Sequence, residues 1–257
     1  MPDDVDTFQR DGFVILERAL DRAQLDALAA ALAPYETTGD AMAGTRSQRV
    51  YSLAGKGDAF LQLAEHPRVL ALLDRVLMPN YLLSTLCSQR LHPGEQRQAW
   101  HTDDAFYFAP RPHALPLAVS VIWAIDEFGD DNGAPELIPG SHRWGLDHPE
   151  SREHDVHVAA MPAGSALVFD AALWHRNSAN RTSGTRLAIA PQYCQPWLRP
   201  QESQLLVVPP EAARACSERM RSLLGYSVHP PFIGQVDGMH PLRLLDASGR
   251  PALVLVK

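Results

Sequence analysis

Cysteine is scarce in this chain, with three residues in 257, and Cys87, Cys194 and Cys216 share no C-x-x-C spacing. That excludes a disulfide framework and a cysteine zinc site as organising features, and it predicts a reducing, cytoplasmic setting. Positive charge is also in deficit. Thirty acidic residues against 23 basic ones give a formal charge of −7, the wrong sign for a protein that lives on phosphate backbones or an anionic membrane. Long apolar runs are missing as well: the longest, Leu115 to Ile125, contains Pro116 and is too short to span a bilayer. The opening Met1-Pro2-Asp3-Asp4-Val5-Asp6 is acidic where a secretory or mitochondrial leader is basic. No repeat, low-complexity tract or linker divides the chain. These exclusions predict one soluble domain over residues 1–257 with a small-molecule partner, no nucleic acid and no membrane. They carry no signal of oligomeric state.

What is present changes texture along the chain. The first third reads as helix-rich after a short strand, Phe13 to Leu16. Asp21 and Gln24 have capping-box spacing, and Leu25, Leu28, Ala29 and Leu32 then mark one helical face until Pro34, where the pattern predicts a stop. Thr37 to Gly57 reads as a long loop. Pro67 opens a second helix with a stripe of Val69, Leu70, Leu73, Val76 and Leu77. From Tyr81 onward the period becomes β-like: Tyr81 to Leu91, Ala99 to Asp103, Leu117 to Ile125, Val156 to Ala160, Ala166 to Asp170 and Leu187 to Tyr193. Turn clusters such as Pro139-Gly140-Ser141 separate the runs. A helical run from Glu211 to Leu224 and an irregular segment to Pro241 complete the reading. The expected architecture is mainly β, a sandwich with flanking helices.

The sharpest chemical feature is Trp100-His101-Thr102-Asp103. On a strand, positions i and i+2 share a face, so His101 and Asp103 can offer a nitrogen and an oxygen to one ion while Asp104 points away. Bare H-x-D is a weak motif. It gains weight from His175, just after the apolar run Ala166 to Asp170, and from Arg186 at the start of another. Two histidines and a carboxylate form the facial triad that leaves three positions open on non-haem Fe(II). A 2-oxo acid can take two of those positions and O2 the third. Fe(II), Asp103 and 2-oxoglutarate sum to −1, which a guanidinium at Arg186 would neutralise with a planar fork matched to a carboxylate.

At this point the chain resembles the Fe(II)- and 2-oxoglutarate-dependent oxygenases of the phytanoyl-CoA dioxygenase type. The resemblance rests on an ordered set: Phe8-Gln9-Arg10-Asp11-Gly12-Phe13-Val14, the Trp100 to Asp103 core, Asn132 to His142, Ala163 to Asp170, His175 with Arg186, then Tyr193 and Leu198-Arg199-Pro200. It implies a double-stranded β-helix, a distorted jelly roll of the cupin kind. It places His101, Asp103 and His175 on the iron ligands and Arg186 on the 2-oxoglutarate anchor. In some relatives a tryptophan after the H-x-D loop touches the co-substrate, which points to Trp123. A Ser or Thr two residues after the distal histidine commonly helps the arginine; here Asn177 holds that position and Ser178 follows it. Because Asp103 is present, hydroxylation or a related oxidation is implied rather than halogenation.

The remaining histidines read more simply. His154 and His157 are solvated loop residues, and His142 organises a loop; Phe169 is core, and the acidic run Asp126 to Asp131 is a solvated turn. Two rivals use the same triad: a zinc hydrolase or lyase, with three protein ligands and water, and a non-catalytic cupin-like binding protein. The substrate-choosing segments are expected at Thr37 to Gly57, Asp104 to Pro116, Trp144 to Asp155 and Val228 to Pro241, the first and last as mobile lids.

Overall fold

A computed structural model describes residues 3–36, 46–145 and 147–245. The amino-terminal helix α1 (Asp4–Asp11) leads into strand β1 (Phe13–Leu16), and α2 (Arg22–Glu36) follows. The capping box is real and reciprocal: the Asp21 amide donates to Gln24 Oε1 and the Gln24 amide to Asp21 Oδ1, both at 2.9 Å. Pro34 does not end α2; it sits in the last described turn, where its missing N–H costs a single backbone bond. The segment read as a loop up to Gly57 contains strand β2 (Ser47–Val50) and a 3-10 turn at Leu53–Gly55. Its first part, with Gly39 and Gly44, lies outside the described residues.

Helices α3 (Asp58–Ala64) and α4 (Pro67–Val76) precede the long strand β3 (Leu82–Leu91). Then come β4 (Ala118–Ala124), β5 (Pro135–Leu137), β6 (His157–Val158), β7 (Ala166–Asp170), β8 (His175–Asn177) and β9 (Arg186–Cys194). They form an antiparallel six-stranded sheet of order β1-β7-β4-β9-β3-β2 and a three-stranded sheet of order β6-β5-β8. Ala99 to Asp103 is not a full strand. It touches the small sheet through one antiparallel bridge, His101 to His175.

The helical run expected from Glu211 to Leu224 is broken into α6 (Pro210–Ala215) and α7 (Glu218–Leu223), after a short α5 (Gln204–Val207). Ser217 restarts the chain as an N-cap, accepting the Met220 amide at 2.8 Å. Among the described residues no helix is long and apolar enough to cross a membrane.

The large sheet is buried on both faces, and residue parity decides what each face meets. Val14, Leu16, Val119, Val121, Trp123, Val168, Leu187 and Ile189 join the helices in one core. Phe13, Ala124, Leu167, Phe169 and Ala188 join Phe128, Ala134 and Leu137 in a second core, between the two sheets. The metal-ligating side chains predicted from sequence lie on the second side, so the helices serve as the outer cover of the sheet that carries the site.

Candidate metal centre

His101, Asp103 and His175 come together: one ligand atom from each lies within 4.8 Å of the other two. The backbone explains why. His101 and His175 exchange two N–H···O bonds of 3.0 Å, and the Asp103 amide donates to Ala171 O at 2.8 Å, which pins the H-x-D segment against the distal histidine. Each imidazole is also oriented. His101 Nδ1 lies 3.0 Å from Ala99 O and His175 Nδ1 lies 2.9 Å from Leu173 O. A carbonyl demands a donor, so both Nδ1 atoms carry the proton and both Nε2 atoms present lone pairs. Burial, partly opposed by the charge of Asp103, lowers the pKa of His175 and favours the neutral form that binds metal.

Asp103 divides its two oxygens. Oδ1 lies 3.5 Å from His175 Nε2, on the ligand side, while Oδ2 accepts a 2.6 Å hydrogen bond from Ser120 Oγ. Ser120 in turn accepts from Gln192 Nε2 at 3.2 Å, and Gln192 Oε1 accepts from Gln201 Nε2 at 2.7 Å. Sequence reading missed this chain of polar residues. The only signal was a serine and a glutamine interrupting otherwise apolar strands. Asp104 does point away, as the parity argument requires: it is buried and holds Arg111 and, at 2.9 Å, His113 Nε2.

Arg186 is fully buried, with 0% exposure. Its Nη2 donates to Gly133 O at 2.5 Å and to Asn177 Oδ1 at 3.3 Å, and its guanidinium lies 4.4 Å over the Phe128 ring. Nε and Nη1 have no hydrogen-bond partner among the described residues. Burial pulls the Arg186 pKa down to about 9. A buried guanidinium with three unmet N–H bonds, one on Nε and two on Nη1, is costly unless an anion completes it. Gly133 makes the close approach feasible. Its φ is +92°, and a Cβ there would stand 2.5 Å from Leu91 and 3.6 Å from Arg186 Nη2.

The other sequence candidates divide. Asn177 bridges Arg186 to Gln89, donating to Gln89 Oε1 at 3.1 Å, and it lines the metal cavity. Ser178 is buried beside it, and its Oγ has no hydrogen-bond partner among the described residues. Trp123 goes elsewhere. It lies on the helix side of β4, edge-on to His66 at 4.9 Å, while its neighbours Ser120 and Ile122 face the cavity, so it does not line the metal site. Arg49, absent from the sequence candidates, does line the cavity, across β2 and β3 from Gln89. His142 organises the turn near Gly12 through Gln9 O at 3.3 Å, and Phe169 is core, its ring 4.6 Å from that of His175. Asp126 is more than a solvated turn residue: its Oδ2 accepts the Leu187 amide at 2.8 Å.

The donor set fits a divalent transition metal. Two neutral imidazoles and one carboxylate converge, and among the described residues no fourth His, Cys, Asp or Glu joins them. The orphaned Arg186 N–H groups and Ser178 hydroxyl fit a carboxylate-bearing co-substrate beside it.

Comparison with known proteins agrees in fold and in family. SnoN, an alpha-ketoglutarate-dependent epimerase of nogalamycin biosynthesis, superposes with a TM-score of 0.64 at 24% identity, over 77% of this chain and 85% of its own. HygX from Streptomyces hygroscopicus, solved with nickel and 2-oxoglutarate bound, gives 0.64 at 16% identity, over 77% and 88%. The dioxygenase andF of Emericella variicolor is 30% identical over 171 residues, 64% of this chain and 60% of that protein. The dioxygenase cnsJ of Penicillium expansum is 25% identical over 93% of this chain and 80% of its own length. The chain spans about 60% of the length of the first curated relatives it matches. Residues 8–188, a span that includes the candidate residues His101, Asp103, His175 and Arg186, match the phytanoyl-CoA dioxygenase family, and the chain belongs to that family.

Proposed function

We propose that the protein is an Fe(II)- and 2-oxoglutarate-dependent dioxygenase that oxidises a C–H bond of a small molecule. The stoichiometry balances as substrate R–H, 2-oxoglutarate and O2 giving R–OH, succinate and CO2. The observation that carries the reading is the pairing of an open three-donor site with a buried, half-partnered guanidinium at Arg186. A zinc hydrolase accounts for the triad but leaves Arg186 without a purpose, and so does a non-catalytic cupin.

Bound at His101, Asp103 and His175, Fe(II) would supply the redox chemistry that couples O2 reduction to decarboxylation of the 2-oxo acid. The chain's own residues do the rest. Arg186 Nε and Nη1 hold the distal carboxylate, and Asn177 keeps the guanidinium aimed by accepting from Nη2. Ser178 Oγ adds a donor to the same carboxylate. Ser120 fixes Asp103 Oδ2, so that one oxygen alone turns to the metal. A single domain suffices for this chemistry. The structurally similar proteins include an epimerase and a carbocyclase, so hydroxylation is the first outcome to seek and other C–H oxidations are the second.

Anaerobically Fe(II)-loaded protein given 2-oxoglutarate and air should form succinate, and His101→Ala, Asp103→Ala or His175→Ala should stop it. Succinate formation by the zinc-loaded protein, or by a folded ligand variant, would refute the reading.

A further inference from the structure

We propose that the organic substrate binds in a cavity of about 440 Å3 beside the metal site, and that this cavity selects a neutral, largely apolar small molecule. The proposal rests on the dioxygenase reading for the word substrate alone; the binding site and its chemistry stand on the cavity.

Volume decides the location first. The cavity that holds the metal ligands measures about 130 Å3, well under the roughly 300–1,000 Å3 of small-molecule pockets. A co-substrate extending from the triad toward Asn177, which lines this cavity and touches the Arg186 guanidinium, would occupy it, leaving no room for a second organic molecule. The 440 Å3 cavity is large enough and adjoins it. Gln201 lines both, and the same side chain is hydrogen-bonded to Gln192 on the metal side. Cavities of about 300, 240 and 260 Å3 elsewhere share no lining residue with the metal cavity.

The walls then state the ligand's chemistry. Trp197, Leu205 and Ile233 line the cavity and are still 44–48% exposed. Phe232 and Leu206, each next in sequence to one of these lining residues, are exposed at 73% and 83%. Such a concentration of exposed apolar side chains around one opening marks a binding site rather than a solvated face. Charge is already spoken for. Among the described residues the only carboxylate in the wall, Glu202, accepts from the Ser52 amide, the Leu86 amide, Ser52 Oγ and Gln204 Nε2 at 2.7–3.3 Å. Arg199 is an exposed residue at the mouth. No buried unpaired charge faces inward to demand a charged ligand.

The test uses Nile red, a neutral polycyclic fluorophore that brightens in apolar surroundings, with the Ni(II)-loaded full chain. Saturable one-to-one enhancement is expected. Ile233→Glu and Leu205→Glu should each weaken it at least tenfold, and since both side chains are half-exposed, both variants should fold. Arg186→Met should leave Nile red affinity within twofold while removing the effect of 2-oxoglutarate on unfolding temperature, so failure of the co-substrate reading is seen separately. Absence of enhancement, or equal enhancement in both glutamate variants, overturns the proposal. So does enhancement that appears only in a chain ending at residue 245, which would make the chain's own terminal segment the occupant. Glutamate variants that turn a dimer into a monomer would assign the surface to a second copy instead.

Discussion

Arg186→Met separates two properties that most active-site substitutions confound. Burial lowers the Arg186 pKa from the ordinary guanidinium value to about 9, and at about 1.36 kcal/mol per pH unit the charge costs at most about 5 kcal/mol in the ligand-free fold. The proton stays on at neutral pH; the depression measures the penalty. Two contacts offset it. The Phe128 face contributes roughly 0.5–2 kcal/mol, and Gly133 O, left without its donor in the variant, costs roughly 1–3 kcal/mol. Methionine fills similar volume without charge. The ligand-free variant should therefore be no less stable than the parent, with a gain of up to about 3 kcal/mol when the smaller offsets apply.

The co-substrate response should vanish at the same time. A ligand at a hundred times its Kd stabilises the native state by about 2.7 kcal/mol, which is a rise of roughly 5–11 °C for a chain of this size. Thermal unfolding of the Ni(II)-loaded protein with and without 2-oxoglutarate reads both quantities. The parent should show that rise and Arg186→Met should not, although its own Tm is equal or higher. Loss of more than about 2 kcal/mol in the ligand-free variant would refute the charge-burial argument. A preserved 2-oxoglutarate shift would refute the anchor.

Other expectations follow from single contacts. Ser120→Ala frees Asp103 Oδ2 and should weaken Co(II) binding about 10–100-fold by calorimetry, with the fold unchanged by circular dichroism. Gly133→Ala places a Cβ 2.5 Å from Leu91 at a φ of +92°; it should lower stability by about 1–3 kcal/mol and weaken 2-oxoglutarate, and a neutral outcome in urea titration would count against the close packing. Asp170 is buried, and burial raises its pKa to about 7. Its folded pKa exceeds the unfolded one, so its contribution is fully present below about pH 4 and is lost as pH rises toward 7; Asp170→Asn should then stabilise the protein at pH 8 by up to about 4 kcal/mol and have no such effect at pH 4.

Much of the candidate site's geometry was legible because its donor groups are carried by side chains in fixed local patterns. His101 and Asp103 are two apart on nearly extended backbone, and His175 and Arg186 flank apolar strands that must lie in the same sandwich. The capping box at Asp21 and Gln24 was legible for the same local reason. Trp123 shows where the reading fails. Ala118–Ala124 is buried on both faces, so its apolar composition does not say which parity meets the metal, and the tryptophan falls on the helix side. Strand β2, Ser47–Val50, has no apolar alternation to announce it, so Arg49 was hidden in a supposed loop. Ser120, Gln192 and Gln201 act only through partners 9–72 residues away, which one-dimensional spacing does not reveal. The break before Ser217 had a signal in the cap itself, and the apolar stripe around it concealed it.

The handling of acidic groups near the metal ligands follows one electrostatic logic. Asp103, Asp104 and Asp170 all lie close to the H-x-D turn, and three ionised carboxylates there would repel one another and compete for the ion. The fold leaves one available. Asp104 is tied to Arg111 and His113, which turns its charge inward to the loop from Asp104 to Pro116 and anchors that loop beside the site. Asp170 is held where burial disfavours ionisation, with its Oδ1 accepting only the Ala172 amide at 2.8 Å. Asp103 alone keeps an oxygen directed at the two imidazoles. A single anionic donor with two neutral ones leaves net positive charge on a bound dication, and that residual charge draws a dianionic co-substrate toward it. Arg186 then has to supply just one further cation, and the chain places that cation at the start of β9, hydrogen-bonded to Asn177 of the cavity wall.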